Sequence, residues 1–439
     1  MLIFSGIYKN AKENPHKICM SFGNNRIVYR EFVHCIDQRA EYLAIRYSKC
    51  EKVIIKNINP INTIINFLAC SRAGLAAVPI NFKITQSKMD SIVRKINPCC
   101  IIDDKFIFET QLVGQEGRLP LIEDSDIFLG ALSSGTTGHN KVIWRDHKSW
   151  TSAFKYQNQV FHISCRDILF LVGSLSYTAN LNSAMHILNE GGSIVFSSSI
   201  YPGTWIREIC KNNVTSIFMV PAHYRILLKE LKTELRNVKS ILSAGDKIDS
   251  DTVNMLKSKF PDAYVCEYYG ASELGHVAYM DFRNNKNVNS VGKAFPQVKL
   301  WIQDDVVWVE SPYIAPDFRP RATVGDIGKI DSKGNLYILG RKNNTINKGG
   351  IKILPYNIEK ILDNNPKILK SVVFGIKDSL KGEEICAAIV SKTNNITVKE
   401  IREYCRINFE SYLQPKKIKI VQHLKLNSSG KIDYRNLMK

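Results

Sequence analysis

The 439-residue chain contains no apolar run long enough to cross a bilayer as a helix, so no membrane span is expected. Its opening stretch, Met1-Leu2-Ile3-Phe4-Ser5-Gly6-Ile7, is too short for the apolar core of a secretion signal. Asn10-Ala11-Lys12-Glu13-Asn14-Pro15 interrupts it, so no export is expected either. The eleven cysteines are scattered. No Cys-x-x-Cys pair or Cys/His zinc spacing occurs, and the adjacent Cys99-Cys100 cannot close a simple clip. This predicts reduced thiols in a cytoplasmic protein. Acidic residues are scarce, 41 against 60 Lys and Arg, giving a formal net charge of +19. Such a surplus suits anionic partners, or simply reflects a lysine-rich composition. The basic residues are spread out, with no compact basic helix or aromatic-interleaved patch, so nucleic acid is not expected as a partner. The common phosphate loop is missing too: Gly138 stands three residues before Lys141, and Val142 follows it.

What is present is enough for two or three domains. Length and a hydrophobic content of 44% allow large cores. The chain centres on Leu132-Ser133-Ser134-Gly135-Thr136-Thr137-Gly138-His139-Asn140-Lys141. Asp126 to Leu132 reads as a buried strand, and about Lys148 to Val160 as a helix. A loop of glycines and hydroxyls after a strand can aim several backbone N–H groups at one anion, and Lys141 adds a charge.

Elsewhere, residues 21–33 predict two short strands, a turn at Gly23-Asn24-Asn25, and a helix from about Arg30. Asn62 to Gly74 predicts a helix, followed by a strand toward Asn81. Ile168 to Val172 predicts a strand, Gly173 to Asn180 a loop, Leu181 to Leu188 a helix and Ser193 to Phe196 a strand. Ser216 to Pro221 and Ser240 to Asp246 read as further strands with a helix between. His223 reads as a structural histidine with its hydrogen bonds met. The alternation implies parallel α/β layers.

The loop resembles the signature of the adenylate-forming superfamily: acyl- and aryl-CoA synthetases, luciferase and peptide-synthetase adenylation domains. Its pattern is Ser-Ser/Thr-Gly-Thr-Thr-Gly-x-Pro-Lys, with Asn140 here replacing proline. Ile27-Val28-Tyr29-Arg30-Glu31-Phe32 resembles an early packing element of the family. Cys266-Glu267-Tyr268-Tyr269-Gly270-Ala271-Ser272-Glu273 resembles Asn-x-Tyr-Gly-x-Thr-Glu, with Glu267 where asparagine is common. Ser243-Ala244-Gly245-Asp246 resembles the small-residue turn beneath adenine and acid. Val324-Gly325-Asp326 resembles Thr-Gly-Asp. Gly340 to Pro355 resembles the hinge motif, and Gly430-Lys431 the terminal lysine motif, with Lys425 in place of its proline.

The resemblance runs from about Ile27 to Arg435. It implies an α/β fold in two parts: a large N-terminal adenylation domain of layered α/β subdomains (1–340) and a small mobile α+β lid (341–439). The hinge would lie near 341–344, at Asn343. ATP and Mg²⁺ are implied as cofactors. The implied nucleotide contacts are Ser133, Ser134, Gly135, Thr136, Thr137, Gly138, Lys141, Ala244, Gly245, Asp246, Tyr269, Gly270, Ala271, Ser272, Asp326 and Arg341. Glu273 would hold Mg²⁺, Asp326 the ribose hydroxyls, and Lys431 the reacting carboxylate and α-phosphate, so Lys431, Glu273 and Arg341 carry the catalysis.

The acid pocket would include Tyr177, Ser176, Ser243 and Val220. Tyr177 falls where many members carry a histidine or another aromatic. The loop Gly173 to Asn180 has no anion to pair a substrate ammonium, and its hydroxyls and single aromatic ring suit a hydroxylated aryl acid. The expected partners are that small carboxylic acid and the phosphopantetheine thiol of CoA or a carrier protein. A fatty-acyl or amino-acid ligase, and a non-catalytic homologue, are the alternative readings.

Overall fold

The computed structural model describes residues 1–109, 119–134, 140–283, 289–378, 382–392, 396–424 and 437, except the side chains of Ser133, Ser134, Asn140 and Asn343. Two compact units result: Met1–Lys299 with Val309–Ala322, and Leu300–Trp308 with Thr323–Lys439.

In the first unit the chain lays down fourteen labelled strands. They are β1 (Ile18–Phe22), β2 (Asn25–Val28), β3 (Lys52–Lys56), β4 (Ala76–Pro79), β5 (Cys100–Asp103), β6 (Ile127–Ser134), β7 (Asn140–Asp146), β8 (Ile168–Leu171), β9 (Ser193–Phe196), β10 (Ser216–Met219), β11 (Ser240–Ser243), β12 (Tyr264–Ala271), β13 (Gly275–Asp281) and β14 (Lys293–Ala294). One sheet has the order β14-β13-β12-β11-β10-β8-β9-β1-β2, and a second β5-β3-β4-β6-β7. The segments Ser-Ile-Val-Phe, Ser-Ile-Phe-Met and Ser-Ile-Leu-Ser are buried at every position. Near-continuous apolar strands of this kind belong to parallel sheets covered on both faces.

Local sequence explains the covering helices. Asn59 caps the helix Pro60–Arg72, its side chain accepting from Ile61 N at 2.9 Å, and Pro60 fits the first turn, where no N–H is needed. This helix begins and ends two residues before the predicted segment, Asn62 to Gly74. The helix predicted over Leu181 to Leu188 runs longer, Thr178–Asn189. Thr178, Ala179 and Asn180 are therefore helical rather than loop, because Asn180 folds back to donate to Val172 O and Ser174 O, both at 3.1 Å.

The structure also adds a strand. The signature loop is followed not by a helix directly but by β7, whose Val142-Ile143-Trp144 pairs antiparallel with β6, Ser133 opposite Lys141. The helix His147–Phe161 then starts under an Asp146 cap. Gly135, Thr136, Thr137 and Gly138 lie outside the described residues, as does Lys431.

The second unit is α+β. It contains β15 (Asp326–Ile330), β16 (Leu336–Arg341), β17 (Ile346–Lys348), β18 (Ile351–Ile353), β19 (Ile368–Asp378), β20 (Gly382–Ser391) and β21 (Lys417–Val421). β15 and β16 are an antiparallel pair, and β18-β17-β20-β19 a sheet with β21 parallel to β20. Helices Pro355–Asp363 and Val398–Asn408 bury Ile358, Leu362, Ile401 and Cys405 against it. A capping box starts the second: Glu400 N donates to Thr397 Oγ1 at 3.2 Å, and Thr397 N to Glu400 Oε2 at 2.8 Å.

Candidate active site

Strands β8, β10, β11 and β12 are parallel and adjacent, so their C-terminal ends lie along one edge. Ligands of open α/β sheets bind outside such edges. The loops along it carry most of the site residues expected in the first unit.

After β12 comes a tight hairpin to β13, with Ala271 opposite Gly275. A side chain on Gly270 would place its Cβ 2.3 Å from Gly275 O, so only glycine fits there. Strand alternation separates the two tyrosines. Tyr268 is buried in a cluster with Phe161, Phe218 and His276, while Tyr269 sits half-buried on the opposite face.

The turn that follows is pinned by its backbone. Ser272 O accepts from Arg145 Nη1 at 2.9 Å, and Glu273 O from Ala315 N at 2.9 Å. Arg145 is itself buried and also donates to Ser149 O at 3.1 Å and Tyr313 O at 2.6 Å. Burial lowers its pKa to about 9. One buried guanidinium thus ties β7, which begins just before Lys141, to the Ser272-Glu273 turn. Its neighbour Asp146 takes a two-pronged contact from Arg319 Nη2, at 2.9 and 2.7 Å. Lys141 is exposed, its Nζ 4.6 Å from the centroid of Phe318.

Glu273 is half-buried, and the hydroxyl of its chain neighbour Ser272 lies 3.2 Å from that of Thr178. Among the described residues no group of three or more His, Cys, Asp or Glu could cage a metal. One carboxylate with neighbouring hydroxyls fits Mg²⁺, which keeps waters and takes its other oxygens from phosphates.

After β11, Ala244 is buried and Gly245 adopts φ +89°, a conformation other residues avoid. Both fall out of the strand that the sequence predicted to reach Asp246, because that backbone cannot continue a ladder. The turn is anchored by Glu267, the residue in the family's asparagine position. Its carboxylate pairs with Lys247 Nζ and accepts from Ile248 N at 2.7 Å. Lys247 also donates to Ser290 O at 2.7 Å. Burial raises the Glu267 pKa, with Lys247 opposing the rise. Glu267 is thus committed to the turn and not to a nucleotide base.

After β8, the loop expected to line the acid pocket spends its polar groups on itself. Ser174 Oγ and Ser176 Oγ bond each other at 2.9 Å, Thr178 faces Ser272, and Asn180 holds the loop backbone. Tyr177 is half-buried at the start of the following helix. After β10, Val220 leads into the helix Pro221–Glu230, which carries His223. The expectation that His223 has its hydrogen bonds met fails: Nδ1 is buried without a partner, as is Ser243 Oγ at the end of β11. Sequence reasoning missed Arg145, Lys247 and the open state of His223, since each depends on contacts between distant segments.

In the second unit, Asp326 is buried and lies directly opposite Arg341 in the β15/β16 register. Arg341 Nε donates to Asp326 Oδ1 at 2.8 Å. Lys342 N donates to Gly325 O at 2.8 Å and closes the pair of motifs.

The family model described as "AMP-binding enzyme" matches residues 7–307, and "AMP-binding enzyme C-terminal domain" matches residues 357–431. An uncharacterized acyl-CoA ligase, YhfT, of Bacillus subtilis (strain 168) is 26% identical over 96% of this chain and 95% of its own length. A putative long chain fatty acid-CoA ligase, VraA, of Staphylococcus epidermidis is 26% identical over 95% of this chain and 94% of its own. The solved o-succinylbenzoate coenzyme A synthetase of Bacillus subtilis, in complex with ATP and magnesium ion, superposes with a TM-score of 0.84. It does so at 19% identity over 99% of both chains, a likeness of fold. Among the described residues, no helix is long and apolar enough to cross a membrane.

Proposed function

Because the chain belongs to the AMP-binding enzymes, we propose that it is an ATP-dependent ligase that joins a carboxylic acid to a thiol through an acyl-adenylate. The carboxylate attacks the α-phosphorus, the bond to the bridging oxygen breaks, and pyrophosphate leaves. A thiol then attacks the acyl carbon, and AMP leaves with the electron pair of the cleaved C–O bond, giving a thioester.

An anion must attack a polyanion, so charge control dominates the chemistry. Mg²⁺ supplies charge neutralisation and a template for the phosphates. Glu273 would hold it, on a turn that Arg145 and the Ala315 N–H keep in place. Ser133 to Gly138 with Lys141 would take the outer phosphates. The Ala244-Gly245-Asp246 turn and Tyr269 would flank adenine, with Gly270, Ala271 and Ser272 near the α-phosphate. Asp326 would take the ribose hydroxyls and Arg341 orient that carboxylate. Lys431 would bridge the acid and the α-phosphate. A large domain 1–340 and a lid 341–439 hinged at Asn343 complete the proposal.

The observation that carries this reading is the Ser272-Glu273 turn, locked on both sides of its backbone, at the edge shared with the β11 turn. The acid we favour is a hydroxylated aryl acid, because the pocket wall has no carboxylate to pair an ammonium and presents Tyr177, Ser176, Ser243 and Val220. A fatty acid is the second reading, supported by the name of the VraA relative. The acceptor is CoA or a carrier protein, toward which the +19 charge would speed encounter. All eleven cysteines are free, which suits work in the cytoplasm. Incubation with ATP, Mg²⁺, CoA and aryl, fatty or amino acids, read by mass spectrometry, tests the proposal. Thioester with equimolar AMP from an aryl acid is expected. Thioester from fatty acids alone would replace the first reading by the second, and ADP as product would reject both.

A further inference from the structure

Two polar atoms at the ends of β10 and β11 have no hydrogen-bond partner and no access to water: His223 Nδ1 and Ser243 Oγ. The strands are neighbours, with Met219 opposite Ser243. His223 lies just beyond β10, its backbone N–H donating to Val220 O at 3.0 Å. A Cβ built on Gly173 would stand 3.9 Å from His223 Cε1, so the ring also lies against the loop after β8. Trp205 holds it edge-on at 5.6 Å between centroids. Orphaned buried polar atoms are exceptions in folded chains. Here two occur along one short stretch of the ligand-binding edge, while Ser174, Ser176, Thr178 and Asn180 are already bonded.

The chemistry of this pair selects a ligand class. Burial lowers the His223 pKa, so the ring is neutral near pH 7 and offers one donor and one acceptor. A serine hydroxyl also donates and accepts. Residues 173–180, 220–223 and 243–246 contain no Lys or Arg, so a second carboxylate would find no counter-charge there. A hydrocarbon chain would leave both atoms unpaired.

We infer that His223 and Ser243 determine specificity by binding a neutral hydroxyl or carbonyl oxygen on the body of the acid. This rests on reading the edge as the acid pocket. It assigns the substrate's oxygen to two named residues and widens the class from hydroxylated aryl acids to any monocarboxylic acid with a neutral oxygen substituent, against plain hydrocarbon acids and dicarboxylates.

Acid-dependent ATP–pyrophosphate exchange on matched acids tests it: benzoate against the monohydroxybenzoates, octanoate against β-hydroxyoctanoate, and succinate. At least one hydroxylated acid should exceed its plain counterpart in kcat/KM by about 10- to 100-fold, the usual range for a buried hydrogen bond gained or lost. His223→Phe, which keeps the ring's bulk, and Ser243→Ala, which removes one oxygen, should each raise KM for the hydroxylated acid more than for the plain acid, so that the ratio between the two narrows. If His223→Phe does not fold, Ser243→Ala carries the same comparison. Equal rates for plain and hydroxylated acids, preference for succinate, or an unchanged ratio in Ser243→Ala would overturn the inference while leaving adenylation intact. Exchange with no acid at all would remove the underlying reading and the inference with it.

Discussion

Lys431, Glu273 and Asp326 carry one positive and two negative charges in the proposed chemistry, and substitution can remove each of them singly. Lys431→Ala should slow adenylate formation about 100-fold or more, as expected for loss of a group that stabilises developing charge. Thioester formation from supplied acyl-adenylate should largely survive. Equal loss of both half-reactions would remove Lys431 from the first step. Glu273→Gln should raise the Mg²⁺ concentration needed for half-maximal rate while leaving the fold intact, since the turn is held through backbone carbonyls. An unchanged Mg²⁺ titration would count against metal binding there. These residues were legible in the sequence because each sits inside a contiguous motif. His223 was not: whether its ring nitrogens find partners depends on the ends of β8, β10 and β11, which only the folded sheet brings together.

At the scale of elements, the site depends on two buried charged anchors. Arg145 joins β7 to a turn whose first residue, Ser272, lies 127 positions later, and no local pattern announces such a contact. Arg145→Met would leave the carbonyls of Ser149, Ser272 and Tyr313 without their donor. It should cost roughly 3 kcal/mol or more of stability, at about 1–3 kcal/mol for each buried group left unpaired. Arg145→Lys should recover part of the stability and little of the Mg²⁺ affinity, because a single ammonium nitrogen cannot reproduce the fork of donors with which the guanidinium reaches three carbonyls. Denaturant midpoints and Mg²⁺ titrations measure the two effects separately, and a lysine variant equal to the parent in both would deny the anchor. The second anchor, Glu267 with Lys247, shows what motif position alone leaves open. The residue in the family's asparagine slot is consumed in holding the β11 turn. Strand β7 escaped notice for a related reason: glycines and hydroxyls dominate the stretch, and the pairing of Val142-Ile143-Trp144 with β6 is a property of the hairpin.

For the whole molecule, three imidazoles in the first unit are buried and neutral. His147 accepts a hydrogen bond from Ile3 N at 3.0 Å, and burial lowers its pKa to about 4. His186 and His276 are lowered to about 3, again chiefly by burial. A depressed histidine stabilises the fold fully above its ordinary value of 6.5 and loses that contribution as pH falls toward the folded value. Stability should therefore fall by several kcal/mol between pH 7 and pH 4, at about 1.4 kcal/mol per pKa unit of difference for each ring. Urea midpoints across that range would measure it, and a flat profile would place these rings in contact with water. The layered α/β plan and the order of motifs were visible in the sequence, since buried parallel strands and small-residue turns have local signatures. The commitments of buried charge were not, since they are set by register between strands far apart in the chain.

The central claim is that this chain makes an acyl-adenylate, and reversal of the first step tests it most directly. Labelled pyrophosphate should enter ATP only when Mg²⁺ and a suitable carboxylic acid are both present, and Lys431→Ala should abolish the exchange. Label entering ATP without any acid, or no exchange across aryl, fatty and amino acids, would contradict the account.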